Sequence, residues 1–194
     1  MENQQQDKLH HIVVVGGGAG GLELVTRLGN KLGKRKKARI TLLDSGLTHV
    51  WKPLLHEVAS GSLDASANEI NYRAHARKHR YEFQLGRMCG LDREQREVVV
   101  EAFHDHEGAE VVPERRIAYD TLVISVGSTA NDFGTPGAQD HCLFLDSLGQ
   151  AHRFHQLMLN AFLRKNHEAQ EGRDHELPIS IIGAGATGVE LAAE

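Results

Sequence analysis

The sequence predicts an α/β protein built on a parallel sheet, and three observations lead to this prediction. Short apolar runs rich in β-branched residues recur along the chain, and the first is Ile12 to Val15. A glycine-rich turn follows this run and opens a segment with helical spacing of its apolar residues. The same combination returns near residue 183. Short buried strands that alternate with helices are typical of parallel sheets covered by helices.

The first unit runs from the predicted strand at Ile12 to an acidic residue. Its three glycines match the pattern G-x-G-x-x-G: Gly16, Gly18 and Gly21. Apolar residues then recur with the spacing of one helix face: Leu22, Val25 and Leu28. A second strand, ARITLLD, ends on Asp44, which lies 23 residues after Gly21. The order is therefore strand, glycine turn, helix, strand and acid.

This order predicts a dinucleotide site of the Rossmann type. The first glycine permits the tight turn, the second lets a pyrophosphate approach the backbone, and the third lets the helix and the strand pack closely. The helix N-terminus offers free N–H groups to the phosphates, and the acid accepts hydrogen bonds from ribose hydroxyls. The glycine pattern alone is a weak signal, but strand, helix and acid all stand at the expected spacing.

The glycine pattern occurs a second time, 167 residues after the first. The segment IVVVGGGAGG returns as ISIIGAGATG, with glycines at the same three places: Gly183, Gly185 and Gly188. This copy also follows an apolar run and opens a helical pattern. We therefore expect the start of a second Rossmann-like domain, with a second dinucleotide site.

Three further elements are predicted between the two glycine motifs. Residues 122–126 form an apolar run that predicts another buried strand, and Gly127 ends it. Upstream, YEFQLGRMCGLD and REVVVEAFHDHEG predict extended segments in a small β-meander, with Gly108 in a turn. Downstream, LDSLGQAHRFHQLMLNAFLRK predicts a helix that leads to the second motif. Its inward residues are Leu148, Ala151, Phe154, Met158 and Phe162.

Composition excludes several classes of function. The net charge of the 194 residues is −4, so we expect no nucleic-acid partner. Cys89 and Cys142 form no Cys-x-x-Cys pair, which argues against dithiol chemistry and favours a reducing, cytoplasmic location. No apolar run reaches the roughly 18 residues of a membrane span. The opening residues lack the apolar stretch of a secretory signal and predict a disordered tail over residues 1–10.

The 13 histidines raise the question of a metal site. His75 and His79 stand four residues apart on a predicted helix, and His152 and His155 stand three apart. Basic residues surround the first pair, and the second pair lacks a nearby carboxylate pattern. We therefore predict solvated histidines and no metal.

Longer segments resemble a known family. The two glycine motifs and the segment YDTLVISVGS resemble flavoproteins with two dinucleotide-binding domains. Within that group, THVWKPLLHEVASGSLD, EINYRAHARKHRYEF, GSTANDFGTPGAQDHCLFLD and RFHQLMLNAFLRK resemble bacterial type II NADH dehydrogenase, a NADH:quinone oxidoreductase of respiratory membranes. The resemblance extends from Leu9 onward. It implies FAD as cofactor, NADH as substrate and a quinone as electron acceptor.

The resemblance implies roles for individual residues around the first motif. FAD would be held by the glycine loop residues Gly16, Gly18, Ala19, Gly20 and Gly21. Asp44 would bind the adenosine ribose, and Gly127 and Ser128 would close against the flavin. Trp51, Lys52 and Pro53, followed by Leu54, would run toward the isoalloxazine ring. Without the resemblance, Trp51 and Leu54 would be interpreted as core residues.

The second motif would bind NADH, and one acid there is the candidate catalytic residue. The implied NADH ligands are Gly183, Gly185, Thr187 and Gly188. Glu190 would lie near nicotinamide and flavin, where a carboxylate could orient the ring or relay a proton to quinone. Hydride would pass from NADH to flavin, and two electrons would then pass to quinone without proton pumping.

The resemblance also implies how the chain is divided and what it lacks. Residues 11–146 would be the FAD-binding part, 147–177 a connecting helix and 178–194 the start of the NADH domain. The chain would then be an N-terminal fragment, inactive by itself. Membrane contact would come only through the absent C-terminal part. The full-length parent would lie on the cytoplasmic face of the inner membrane and could form a homodimer.

Two other interpretations stay open on sequence grounds. One is a related flavoprotein, such as a sulfide:quinone oxidoreductase or a ferredoxin reductase, although Cys89 and Cys142 do not match the cysteine positions of the former. The other is a fragment that binds FAD or another nucleotide without turnover. Electron transfer to quinone separates the enzyme from the second alternative.

Overall fold

The computed structural model describes residues 9–173 and 176–194, and the chain divides into two compact units. Unit 1 contains the residues up to His49 together with Ile70–Gly127. Unit 2 contains Val50–Glu69 and Ser128–Glu194. Residues 1–8 of the predicted tail lie outside the described residues, and His10 belongs to the first strand, so the predicted boundary of the tail at residue 10 is wrong. The functional boundaries at residues 146 and 177 stay predictions.

All the strands in the described part of the chain belong to unit 1. They are β1 (His10–Val15), β2 (Ala38–Asp44), β3 (Thr48–His49), β4 (Ile70–Asn71), β5 (Glu82–Leu85), β6 (Met88–Asp92), β7 (Glu97–Val100), β8 (Phe103–His104), β9 (Glu110–Val112), β10 (Arg115–Ala118) and β11 (Thr121–Ile124). The α-helices of the described residues are α1 (Ala19–Leu28), α2 (Leu55–Ser60), α3 (Ala65–Asn68), α4 (Tyr72–His79), α5 (Ala138–His141), α6 (Leu148–Gln170) and α7 (Ala186–Ala193). A π-helical turn, Gly29–Gly33, extends α1, and a 3₁₀ turn, Lys52–Leu54, precedes α2.

The central sheet of unit 1 is parallel, as the sequence predicts. Its strand order is β11-β1-β2-β5. The two inner strands, β1 and β2, are the most deeply buried, because both faces of this sheet are covered. The prediction of a buried strand at residues 122–126 is wrong in two respects. The strand is Thr121–Ile124, and at the edge of the sheet it leaves Ile124 54% exposed.

Different layers cover the two faces of this sheet. On one face, α1 and α4 enclose a core that includes Leu22, Val25 and Tyr72. Leu22 and Val25 lie on the predicted inward side of α1, which confirms its periodicity. On the other face, Val13 and Leu43 pack against the apolar side chains of β7 and β10. Burial on both faces explains why β1 and β2 are nearly continuous apolar runs.

The second layer is the predicted meander. Strands β10, β7 and β6 form an antiparallel sheet in that order, and β8 pairs with β9 in a hairpin. Gly108 stands in the hairpin turn with φ +85°, a conformation that favours glycine. The segment YEFQLG differs from the prediction, because its strand β5 joins the parallel sheet rather than the meander.

Unit 2 is helical and holds its own apolar core. Side chains of α2, α3 and α6 meet there, including Leu55, Val58 and Ala151. The predicted helix is confirmed as α6, whose N-terminus carries a capping box formed by Ser147 and Gln150. Ala151 is buried as predicted, but Phe162 is 53% exposed, so its predicted inward position is wrong. Residues 179–182 do not form a strand, and Ile182 is 83% exposed. In the ranges 9–173 and 176–194, the helices are too short or too polar to cross a bilayer.

Candidate functional site

The glycine loop of unit 1 connects β1 to α1, and two of its glycines are sterically required. Gly16 has φ +96°, and a Cβ atom there would lie 2.3 Å from the carbonyl oxygen of Ser125. A Cβ atom on Gly21 would lie 1.8 Å from the carbonyl oxygen of Gly16. Ordinary Cβ contacts lie beyond about 3.4 Å, so neither position accepts a side chain. The first and third glycines therefore allow the strand, turn and helix to approach closely, as predicted.

The second glycine has a different environment. A Cβ atom on Gly18 would meet no atom within 4 Å, so packing does not require glycine there. Gly18 is the N-cap of α1 and, together with Ala19 and Gly20, is exposed. No side chain caps this helix N-terminus. The open space and the uncapped N–H groups are the features that a pyrophosphate group needs.

Asp44 is joined to the glycine loop by hydrogen bonds. Its Oδ2 accepts the Gly17 N–H at 2.6 Å, and its Oδ1 accepts the Gly46 N–H at 2.7 Å. The two bonds fix the plane of the carboxylate at the end of β2. Each carboxylate oxygen can accept a second hydrogen bond, so the group remains able to bind ribose hydroxyls.

Two residues of this site were not found by sequence reasoning. Tyr72 is 2% exposed, and its hydroxyl donates a hydrogen bond of 2.7 Å to the carbonyl oxygen of Gly17. Burial, and then the charge of Asp44, raise the pKa of Tyr72. The buried ring of His49 lies 6.5 Å from that of Tyr72, measured between ring centroids, and desolvation lowers the pKa of His49. Both residues lie in segments that carry the family resemblance, but neither stands in a glycine motif, and sequence reasoning assigned them no role.

The predicted flavin-contacting residues fall in two units. Gly127, in unit 1, follows β11 with φ +73°. In unit 2, Lys52 Nζ donates to the carbonyl oxygen of Ser128 at 3.1 Å, so these two residues come together. Trp51 is 49% exposed and Pro53 is also exposed, so the interpretation of Trp51 as a core residue is wrong. A cleft within unit 2 is lined by residues that include Lys52, Phe144 and Asp146.

The second glycine motif repeats one contact of the first. Gly183 has φ +107°, and a Cβ atom on Gly188 would lie 2.2 Å from the carbonyl oxygen of Gly183. This matches the contact between Gly21 and Gly16. Gly185 is the N-cap of α7, and it is exposed together with Thr187. The turn into α7 is therefore formed, although residues 179–182, which lead into it, do not form a strand.

Glu190 lies on α7 beside a buried histidine. Its Oε2 is 3.3 Å from Nδ1 of His56, a residue of α2. The side chain of His56 is 11% exposed, whereas that of Glu190 is 46% exposed. Within the part of the chain that the structure describes, His56 Nδ1 makes no hydrogen bond, although the Glu190 carboxylate lies 3.3 Å away. A carboxylate and an imidazole at this distance can share or exchange a proton after a small rotation.

The prediction of solvated histidines is wrong for the pair on α4. His75 Nδ1 and the Tyr81 hydroxyl are 2.9 Å apart, and the rings of His75 and His79 lie 4.2 Å apart. His79 also contacts the side-chain amide of Asn30 at 3.1 Å. Desolvation lowers the pKa of both histidines. Across residues 9–173 and 176–194, no group of three or more potential ligands could hold a metal ion.

Two curated relatives extend the resemblance. The chain is 46% identical over 198 residues to the type II NADH:quinone oxidoreductase of Haemophilus influenzae, covering 96% of this chain and 45% of the relative. It is 28% identical over 193 residues to the type II NADH:quinone oxidoreductase Ndh of Mycobacterium tuberculosis, covering 98% and 39%. The predicted resemblance is confirmed. The chain spans less than half the length of each of these two relatives.

Two solved structures resemble the fold of this chain, and a protein-family model matches its sequence. NDH2 from Plasmodium falciparum in complex with NADH has a TM-score of 0.67 and 22% identity, covering 80% of this chain and 30% of that one. The sulfide:quinone oxidoreductase from Aquifex aeolicus has a TM-score of 0.62 and 21% identity, covering 79% and 32%. Both likenesses show the fold. Residues 10–194 match the pyridine nucleotide-disulphide oxidoreductase family, and the chain therefore belongs to that family.

Proposed function

We propose that this chain binds FAD through its first glycine motif and carries part of a NADH:quinone oxidoreductase. The observation that supports this most is the glycine loop of unit 1. A Cβ atom on Gly16 or Gly21 would lie 2.3 or 1.8 Å from a backbone oxygen, whereas a Cβ atom on Gly18 would meet no atom within 4 Å at an uncapped helix N-terminus. The 46% identity to the Haemophilus influenzae enzyme supports the choice of reaction.

The residues of the loop fit the adenosine half of FAD. The exposed N–H groups of Gly18, Ala19 and Gly20 would bind the pyrophosphate. Asp44, held by two backbone N–H groups, would accept hydrogen bonds from the ribose. The outer glycines Gly16 and Gly21 would keep the helix start close enough to the strand for both contacts.

The remaining predicted residues would serve the flavin half and the electron donor. FAD, when bound, would supply the redox chemistry, accepting hydride from NADH and returning two electrons to a quinone. Gly127, Ser128, Trp51, Lys52 and Pro53 would contact the flavin, and the bond from Lys52 to Ser128 would fix part of this surface. The exposed ring of Trp51 provides apolar surface suited to an apolar acceptor.

The second motif would bind NADH, with Glu190 as the catalytic residue. The residues proposed to contact NADH are Gly183, Gly185, Thr187 and Gly188. The carboxylate of Glu190 would hold or transfer the proton that a reduced quinone takes up, with His56 as its neighbour at 3.3 Å. Homodimer formation and attachment of the complete enzyme to the cytoplasmic face of the inner membrane stay predictions.

The FAD part is tested by titrating the purified chain with FAD and following the visible spectrum and flavin fluorescence. We expect binding near one FAD per chain. Gly18→Val should abolish it, because the added side chain fills the space reserved for pyrophosphate. Gly149→Val, in the first turn of α6, is the control for an added valine at another helix start. A wild-type chain that binds no FAD would refute the proposal.

The reaction is tested in a chimera, because the chain spans less than half the length of its curated relatives. Residues 9–194 replace the aligned part of the Haemophilus influenzae enzyme, and NADH oxidation is measured with a short-chain ubiquinone. We expect quinone-dependent turnover that Gly18→Val removes. A chimera that binds FAD but does not reduce quinone would leave the non-catalytic interpretation in place. Reduction of the flavin by sulfide rather than NADH would favour the sulfide:quinone alternative.

A further inference from the structure

We propose that Tyr72 is a positioning residue of the first glycine loop, and that its hydroxyl sets the direction in which the Gly18 N–H faces a bound phosphate. The inference rests on the proposed function, because it concerns the same FAD site. It adds a residue that lies 55 positions away from Gly17 and belongs to no nucleotide-binding motif.

The hydroxyl of Tyr72 lies directly against the loop. It donates to the Gly17 carbonyl oxygen at 2.7 Å. A Cβ atom on Gly17 would lie 2.4 Å from this hydroxyl and 2.5 Å from the ring carbon that carries it. The pattern G-x-G-x-x-G leaves position 17 free to be any residue. In this chain the tyrosine ring occupies the space of a side chain, so glycine is required there for a reason outside the pattern.

The ring of Tyr72 has little freedom to move away. It stacks on Phe83 with ring centroids 5.1 Å apart and an interplanar angle of 26°. Its backbone N–H donates to the carbonyl oxygen of Leu47 at 3.1 Å, and Asn71 caps the helix that it begins. The tyrosine is therefore held at both its backbone and its ring.

The consequence for phosphate binding follows from peptide geometry. The Gly17 carbonyl and the Gly18 N–H belong to one peptide plane and point in opposite directions in a trans peptide. Holding the carbonyl toward Tyr72 therefore turns the Gly18 N–H away from the core. On the other side of Gly17, its own N–H is bound by Asp44 at 2.6 Å. The protein thus uses both polar groups of Gly17 and leaves the Gly18 N–H for a ligand.

The test compares two buried tyrosines. Tyr72→Phe removes only the hydroxyl and keeps the ring, so we expect the Kd for FAD and for ADP to rise about tenfold, the size of one lost hydrogen bond. Tyr81→Phe is the matched control, since Tyr81 is also buried and its hydroxyl bonds to His75. We expect each Kd to change less than about twofold in that control. A tenfold change in Kd corresponds to about 1.4 kcal/mol of binding free energy.

A second readout separates positioning from general stability. In ¹⁵N-labelled chain, ADP should shift the Gly18 amide signal strongly and the Gly17 amide signal little, and Tyr72→Phe should reduce the Gly18 shift while Tyr81→Phe preserves it. A larger shift at Gly17 than at Gly18 in the wild type would overturn the inference without any variant.

The outcomes for the two proposals differ. If wild-type chain binds neither FAD nor ADP, the proposed function fails and this inference falls with it. If wild type binds but Tyr72→Phe binds equally well, the inference alone is wrong. A loss of affinity that Tyr81→Phe reproduces would also refute it, since a general loss of stability would then explain both variants.

Discussion

Nδ1 of His56 lies 3.3 Å from Oε2 of Glu190, so a buried imidazole meets a half-exposed carboxylate on the helix of the second glycine motif. The two residues stand 134 positions apart in the sequence, and both belong to unit 2. Sequence reasoning identified Glu190 but gave His56 no role. The contact gives the carboxylate a titratable neighbour, which is useful to a group that moves protons.

Glu190→Gln should slow quinone reduction in the chimera. The amide keeps the size of the side chain but can no longer take up a proton, and loss of general acid–base catalysis costs about 10²–10⁴-fold. We expect kcat to fall at least about tenfold while FAD content stays unchanged, as measured by stopped-flow kinetics and flavin absorbance. Glu194→Gln, on an exposed neighbouring residue, is the control. Equal rates for Glu190→Gln and wild type would remove Glu190 from the mechanism.

Gly21→Ala should unfold or strongly destabilise unit 1, because its methyl group would lie 1.8 Å from a backbone oxygen. We expect a loss of more than about 2 kcal/mol in the free energy of unfolding, in the range of severe overpacking. Gly18→Ala should change the free energy of unfolding by less than about 1 kcal/mol relative to wild type, because helix propensities differ by no more than this. The same variant should weaken FAD binding. Urea unfolding followed by circular dichroism measures both variants. Equal destabilisation of the two would contradict the steric account.

Asp44→Asn should lower both stability and FAD affinity. An asparagine side chain has one acceptor oxygen, so it cannot accept from both Gly17 and Gly46, and one buried N–H loses its partner. We expect a loss of about 1–3 kcal/mol in the free energy of unfolding. Asp105→Asn is the control, because its carboxylate also accepts two backbone N–H groups but in an exposed hairpin. A larger loss for Asp105→Asn would contradict the prediction.

Stability should fall as the pH is lowered from 8 to 5. Desolvation depresses the pKa of the buried side chains of His11 and His49 in the folded chain. The unfolded chain therefore binds more protons below about pH 6.5, the ordinary histidine pKa, and the free energy of unfolding decreases there. The contribution is present above that pH and is lost as the pH falls through it. Urea unfolding at several pH values measures the slope.

His11→Gln should reduce that slope, because it removes one of the four histidines whose pKa is lowered by desolvation. His11 Nε2 lies 2.8 Å from the Thr41 hydroxyl, and glutamine can replace this hydrogen bond. A slope that stays unchanged in the variant would show that other groups control the acid sensitivity.

Local patterns predicted the parts of the site that depend on neighbours in sequence. The glycine loop, α1 and the acid at the end of β2 all follow from periodicity and spacing, and the structure places Asp44 on the loop. The bond from the Tyr72 hydroxyl to the Gly17 carbonyl oxygen could not be predicted, because it joins residues far apart through the packing of α4. The exposure of β11 was missed for a similar reason. An apolar run does not reveal whether its strand lies at the centre or the edge of a sheet.

The parallel pairing of β1 with β11 also determines when the first glycine motif can fold during synthesis. The glycine loop is closed by Ser125, whose N–H donates to the carbonyl oxygen of Val15 at 2.7 Å. Asp120 binds the backbone of His11 from the same distant segment. During synthesis, the first glycine loop therefore cannot reach its final structure until more than 100 further residues have been added. Closing that long loop costs conformational entropy. Until then β1 is an apolar strand whose edge toward β11 is unpaired.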